Sequence, residues 1–290
     1  MGADTSGGIV YLNGEFLPAA EARVPVLDRG FIFGDGIYEV VPVYGRAPFR
    51  WDQHRARLAR SLSRIRIADP MEGEGWRELV DALIARHPWD DQFVYLQVTR
   101  GVAKRDHAFP KDVVPTVFMM SNPLVRPARE LVEQGVRAVT TTDNRWYRCD
   151  IKSTSLLPNV LLRQFAVDHG AAEVVLLRNG FLTEGSASNL FIVRDGVVAT
   201  PAVSHLILAG ITYDAVVELA RAGGLTVEQR DVPEAEVRAA DEIWLTSSTR
   251  ELLAITTLDG RPVGDGRPGP MFRRVYDLLQ ADTRPPVTRA

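Results

Sequence analysis

Of the 34 Lys and Arg side chains in this protein, only Lys104, Lys111 and Lys152 are lysines. Both residue types carry charge, but lysine alone becomes a neutral amine near physiological pH. A neutral amine adds to an aldehyde or removes a proton as a general base. Lys104 and Lys111 belong to the polar stretch GVAKRDHAFPKD (101–112) and read as ordinary surface cations. Lys152, in RCDIKSTSLLPNV (148–160), stands just ahead of an apolar helix and is the candidate for amine chemistry.

Three further stretches have matching chemistry. In LTEGSASNLFIV (182–193), Glu184 sits beside a turn of small residues, Gly185 to Ser188, which lets a planar ligand approach the backbone. It reads either as a carboxylate for a protonated ring nitrogen or as a solvated hairpin residue. Gly210-Ile211-Thr212 opens an apolar-periodic helix, whose free N–H groups either bind phosphate or are capped by Thr212. In WLTSSTRE (244–251), Ser247 and Ser248 either donate to a phosphate or simply end a strand. An aldehyde, a protonatable ring and a phosphate together describe pyridoxal 5′-phosphate, which proteins bind through a lysine and an acid partner.

The elements that must position these groups are legible. IVYLNGEFLP (9–18) is a hairpin about Asn13-Gly14. Strands are expected at 37–44, 93–100 and 113–120, and helices at 51–66 and 75–87. Leu58, Leu62 and Ile65 mark the apolar stripe of the first helix. Its arginines form a solvated face, with room for one exception that turns inward to an anion. NPLVRPARE (122–130), with Pro123 and Pro127, reads as a linker between a small domain (1–121) and a large one (131–290) that carries Lys152. The large domain is expected to hold a strand at 136–142, a helix at 156–170 closed by Gly170, and strands about an Asn-Gly turn within 172–193. Further on come a helix at 210–224 and strands at 242–249 and 252–258. No regular βαβ repeat appears, so the fold class is α+β.

Composition sets the bounds. The 290 residues are 46% hydrophobic and 24% charged, with a net charge of −3, which gives no general attraction to nucleic acid or to an anionic membrane. Cys149 is the single cysteine, has no metal-ligand spacing around it, and reads as structural; no metal site is expected. A lone thiol and a start, MGADTSGG, without signal-peptide features suggest the cytoplasm.

Six stretches in order resemble the fold-type IV pyridoxal-phosphate enzymes, most closely the D-amino acid aminotransferases. They are DRGFIFGDGIYEVVPVY (28–44), QVTRGVAKRDHAFP (97–110), RWYRCDIKSTSLLPNVL (145–161), TEGSASNLF (183–191), GIT (210–212) and LTSSTRE (245–251). The resemblance implies a two-domain homodimer with the cofactor between the domains and active sites near the subunit interface. Lys152 matches the Schiff-base lysine and Glu184 the pyridine carboxylate. Arg57, Ile211, Thr212, Ser247 and Ser248 match the phosphate cup, and Leu208 matches the apolar residue behind the ring. Tyr38, with Arg105 and His107 from the partner subunit, matches the grip on the substrate carboxylate. Pro158 departs from the glycine common in relatives, but it falls in a first helical turn, where proline is tolerated. The implied reaction is transamination between a D-amino acid such as D-alanine and a 2-oxo acid such as 2-oxoglutarate. Branched-chain L-amino acid and (R)-amine transaminases share the pattern. Aminodeoxychorismate lyase and a cofactor-free binding protein are more distant alternatives.

Overall fold

The computed structural model describes residues 8–71 and 74–283; the segment MGADTSG lies outside them, and the expected domain ranges reach past them at both ends. The chain divides into two compact units. One runs to Val125 and takes back Ile151–Leu156; the other comprises Arg126–Asp150 and the described chain from Leu157 to Thr283. The break between Val125 and Arg126 lies inside the 122–130 stretch.

Among the described residues the first unit is a six-stranded antiparallel sheet with its helices. Strands β1 (Ile9–Leu12) and β2 (Glu15–Pro18) form the hairpin, turning at Asn13 and Gly14 with φ of 48° and 107°. A short helix, α1 (Arg29–Phe33), follows. Asp28 caps it by accepting the Gly30 N–H at 2.8 Å, and Gly34 closes it at φ 65°. Then come β3 (Gly36–Tyr44), β4 (Ala47–Pro48), α2 (Trp51–Arg64), α3 (Gly75–Ala85), β5 (Gln92–Thr99) and β6 (Thr116–Pro123). The strand order is β2-β1-β6-β5-β3-β4.

Side chains alternate across a strand, so Ile37, Val41 and Val43, Val94, Leu96 and Val98, and Val117 and Met119 share one buried face. They pack in one core with Leu58 and Leu62 of α2 and Trp76, Val80 and Leu83 of α3. Tyr38, Tyr95 and Phe118 occupy the opposite, half-buried face.

The segment carrying Lys152 packs with this unit, not with the later chain as the sequence suggested. Its backbone extends the edge at the start of β3: Tyr38 N–H donates to Lys152 O at 2.9 Å, Thr154 N–H donates to Gly36 O at 3.0 Å, and Ile37 bridges Ser153. Ile151 enters the first core. A pairing between residues more than a hundred positions apart leaves no local signal.

The second unit begins with α4 (Arg129–Gln134), β7 (Val136–Thr142), α5 (Leu157–Asp168), β8 (Glu173–Arg178), β9 (Phe181–Leu182), β10 (Asn189–Arg194) and β11 (Val197–Thr200). It continues with α6 (Ile211–Ala222), β12 (Thr226–Gln229), α7 (Glu234–Arg238), β13 (Glu242–Ser247), β14 (Glu251–Leu258), β15 (Arg261–Pro262) and α8 (Pro270–Asp282). Its described strands form a mixed sheet ordered β12-β11-β10-β13-β14-β7-β8-β9, with β15 added on β14. The pairs β11/β12, β14/β7 and β7/β8 are parallel. Leu190, Ile192, Ile243, Leu245, Leu253 and Ile255 belong to its main core. Helix α5 packs Leu162 and Ala166 against Val174 and Leu176. No helix among the described residues is long and apolar enough to cross a membrane.

Candidate active site

Each unit carries part of the expected set. In the first, Lys152 leaves its backbone paired to β3 and sends its amine over the Tyr38 ring, 4.1 Å from the centroid. On the core face of β3, a buried carboxylate, Glu39, stands among apolar positions. Helix α2 supplies its partners because residues three apart share a helix face. Arg57 is the inward arginine of that helix; Arg60 and Arg64 are exposed. Arg57 donates Nε to Glu39 Oε1 and Nη2 to Glu39 Oε2, both at 2.7 Å, and His54 Nδ1 lies 2.9 Å from Oε2.

Burial would raise the Glu39 pKa, but Arg57 and the His54 hydrogen bond outweigh it and hold the carboxyl well below its usual range. Burial lowers the His54 pKa, which the contact with Glu39 only partly offsets; the Arg57 and Lys152 charges act in the same direction as burial. His54 Nε2 is buried with no hydrogen-bond partner among the described residues. The sequence reading missed Glu39 and His54: a charge at a core position of a strand becomes visible only once the helix packed on it is known.

Tyr38 lies on the open face, stacked on Tyr95 with centroids 5.6 Å apart. Arg105 and His107 are exposed in the 101–115 connection. Both pack on Phe33, at 5.3 Å (Arg105 Cζ) and 5.4 Å (His107 ring) from its ring centroid.

In the second unit Glu184 is buried, which overturns the reading of a solvated hairpin residue. Its Oε1 pairs with Arg145. Its Oε2 accepts Leu208 N–H at 3.0 Å and Asn189 Nδ2 at 3.2 Å. Arg145 is shared with Asp143, to which it donates Nε and Nη2, both at 2.9 Å. Burial pushes the Glu184 carboxyl up to about 7 against the opposing effect of Arg145 and the Leu208 N–H. Asp143 is held down despite its burial, because Arg145 faces it squarely.

The small-residue turn after Glu184 is built on Glu173, whose Oε1 accepts Ser186 N–H at 3.0 Å and whose Oε2 accepts Ser188 Oγ at 2.9 Å. Asn189 joins the pieces. It also donates to Leu208 O at 2.8 Å, pairs across the ladder with Thr246 beside Ser247, and approaches Gly210 so closely that a Cβ there would lie 2.3 Å from its Oδ1.

Gly210, not Thr212, is the N-cap of α6, and among the described residues no side chain caps that helix. Thr212 is instead its second residue; Ile211 and Thr212 are buried. Ser247 ends β13, with its Oγ accepting Arg250 N–H at 3.3 Å, and Ser248 begins the turn beyond. Glu184, Leu208, the start of α6 and the end of β13 are therefore brought together through Asn189. Cys149 is buried, and burial pushes its thiol up to about 11, in keeping with a structural role.

A model of the family described as amino-transferase class IV matches residues 36–258. The chain belongs to the class IV aminotransferases. Relatives in this family include the D-alanine aminotransferase of Bacillus licheniformis, 39% identical over 93% of this chain and 95% of its own. That of Listeria monocytogenes is 39% identical over 97% of this chain and 96% of its own. Among solved class IV structures, the Escherichia coli branched-chain amino acid aminotransferase superposes with a TM-score of 0.87 at 26% identity, covering 97% of this chain and 98% of its own. The T.th. branched-chain amino acid aminotransferase with pyridoxamine 5′-phosphate gives 0.88 at 27%, covering 97% and 96%. The two-domain α+β architecture of this aminotransferase is thus the fold-type IV arrangement.

Proposed function

We propose that this aminotransferase moves the amino group of a D-amino acid such as D-alanine to a 2-oxo acid such as 2-oxoglutarate. The observation that carries this reading is the 39% identity to D-alanine aminotransferases over nearly the whole chain; likeness to the branched-chain enzymes rests on 26–27%.

The cofactor is pyridoxal 5′-phosphate, and the donor set fits it. There is an amine at Lys152, a buried carboxylate at Glu184, an uncapped helix start at Ile211 and Thr212, and the hydroxyls of Ser247 and Ser248. When bound, it supplies an electron sink for the substrate's α-carbon. Lys152 would hold it through its amine, and the same Nζ would serve as the general base for the substrate's α-proton. Glu184 would pair with the protonated ring nitrogen, and Leu208 would supply apolar packing for the ring. Arg57, Ile211, Thr212, Ser247 and Ser248 would be the residues to hold the phosphate. Glu39 and His54 fix Arg57, since its Nε and Nη2 are committed to Glu39.

Tyr38 and, from a second copy of the chain, Arg105 and His107 grip the substrate's α-carboxylate, for which a guanidinium gives two-point geometry. The lone buried Cys149 suits a cytoplasmic location.

The test is a donor screen. The purified yellow enzyme is decolourised by one donor at a time, then regenerated by 2-oxoglutarate, as a two-stage ping-pong reaction requires. D-Alanine is expected to act fastest, ahead of L-leucine and an aryl amine; a preference for either of those would refute the assignment. Borohydride is expected to label Lys152, and Lys152→Ala to reduce turnover by at least about 10³-fold with an unchanged circular dichroism spectrum.

A further inference from the structure

The loop that carries Arg105 and His107 is exposed over Lys104–Phe109 and has no regular structure of its own, yet a carboxylate grip needs those two side chains held in place. Its anchors converge on one residue. Asp35, just past the end of α1, accepts Arg29 Nε at 2.7 Å and Arg100 Nε at 2.8 Å on the same oxygen, Oδ2, and Arg100 Nη2 at 3.0 Å on Oδ1. Both guanidiniums are buried, with side chains 4% and 6% exposed.

Each then reaches a different point of the loop. Arg29 Nη1 donates at 2.5 Å to the carbonyl of Asp106, the residue between Arg105 and His107. Arg100 Cζ lies 3.7 Å from the centroid of the Phe109 ring, which Arg66 also faces at 4.8 Å. Arg29 also lies over Phe33, the ring on which Arg105 and His107 rest.

From this geometry we infer that Asp35 is the positioning residue of substrate recognition: through Arg29 and Arg100 it clamps the 103–110 loop at Asp106 and Phe109 and so sets Arg105 and His107. The inference rests on the reading of Arg105 and His107 as the carboxylate grip. The reason is electrostatic. With the carboxylate neutralised the two buried cations lose their shared counter-charge and repel each other, which loosens Arg29 from Asp106 O and shifts Arg100, still bonded to Ile65 O at 2.7 Å and Arg66 O at 3.2 Å, beneath Phe109.

The experiment is a mutant cycle on the holoenzyme with D-alanine, comparing Asp35→Asn, Arg105→Ala and the double variant. It is run alongside hydrogen exchange of the 103–110 amides. Asp35→Asn is expected to raise KM about tenfold, with kcat and cofactor affinity changed less than about threefold, and to speed exchange across the loop. In the Arg105→Ala background the same change is expected to raise KM clearly less, since only His107 is left to misplace, and Asp35→Glu to restore part of the loss.

An equal rise in KM in both backgrounds, or a loss confined to kcat, would overturn the clamp. An unchanged KM in Arg105→Ala would instead overturn the assignment of the grip. Should Asp35→Asn fail to fold, Phe109→Ala, at a half-exposed position, carries the test: unchanged exchange and unchanged KM would refute the clamp equally.

Discussion

Glu39 and Glu184 are both buried carboxylates facing arginine, and they titrate in opposite directions. Glu39 has the whole Nε–Nη2 edge of Arg57, plus His54, so its charge is stabilised beyond the cost of burial. Glu184 shares Arg145 with Asp143 and fills its second oxygen with neutral donors, so burial prevails and the carboxyl rises to about 7. The consequence follows from linkage. A carboxyl raised in the folded state contributes stability at pH below its unfolded pKa and loses it as pH rises through the folded value. In the cofactor-free protein, the stability of wild type relative to Glu184→Gln is therefore expected to fall between about pH 4.5 and 7, by on the order of 3 kcal/mol. Urea midpoints at pH 5 and pH 8 give the measurement; a difference that does not change with pH would contradict the assigned titration.

The short helix α1 acts through its ends. Asp28 caps it and also accepts Thr99 Oγ1 at 3.0 Å and Thr116 Oγ1 at 2.7 Å, locking α1 to the ends of β5 and β6. The turn at Gly101 completes that junction. It has φ 98°, its carbonyl accepts Arg29 N–H at 2.9 Å, and a Cβ there would lie 2.0 Å from Val114 O. Gly101→Ala is expected to cost about 3 kcal/mol or more, combining backbone strain with the clash. Gly14→Ala, at φ 107° but with nothing within 4 Å of the added carbon, is expected to cost only the strain, about 1–2 kcal/mol. Chemical denaturation of the two variants side by side checks the ordering; equal losses would show that the contact with Val114 contributes nothing.

For the whole molecule, the proposed second copy would have exposed apolar side chains to cover. On α5, Leu157, Val160 and Leu161 form an outward stripe opposite the buried Leu162 and Ala166. In the first unit, Val26, Leu27, Phe31 and Val114 are likewise exposed. An apolar stripe on one helix face is the kind of surface that association covers. A homodimer is the expected mass in light scattering. Leu161→Asp is expected to shift it toward monomer by at least about 1.4 kcal/mol, tenfold in the dissociation constant. A wild-type monomer at micromolar concentration would refute it.

The sequence by itself carried the α+β class and most strands and long helices, and it supplied the candidate site residues that the proposed function uses. These depend on local periodicity, turn residues and ordered short motifs. Helix α8 also had its signal in Phe272, Val275 and Leu279, behind the breaker run GRPGP. Tertiary structure alone decided which side chains act on which. It returned the lysine segment to β3, buried Glu39 against His54 and Arg57, set Arg145 and Asn189 on Glu184, and brought Asp35 to two arginines and their loop. The physical reason is that each of these is a long-range pairing of polar groups. Its energy depends on burial and exact partnership, and neither is encoded in the spacing of neighbouring residues.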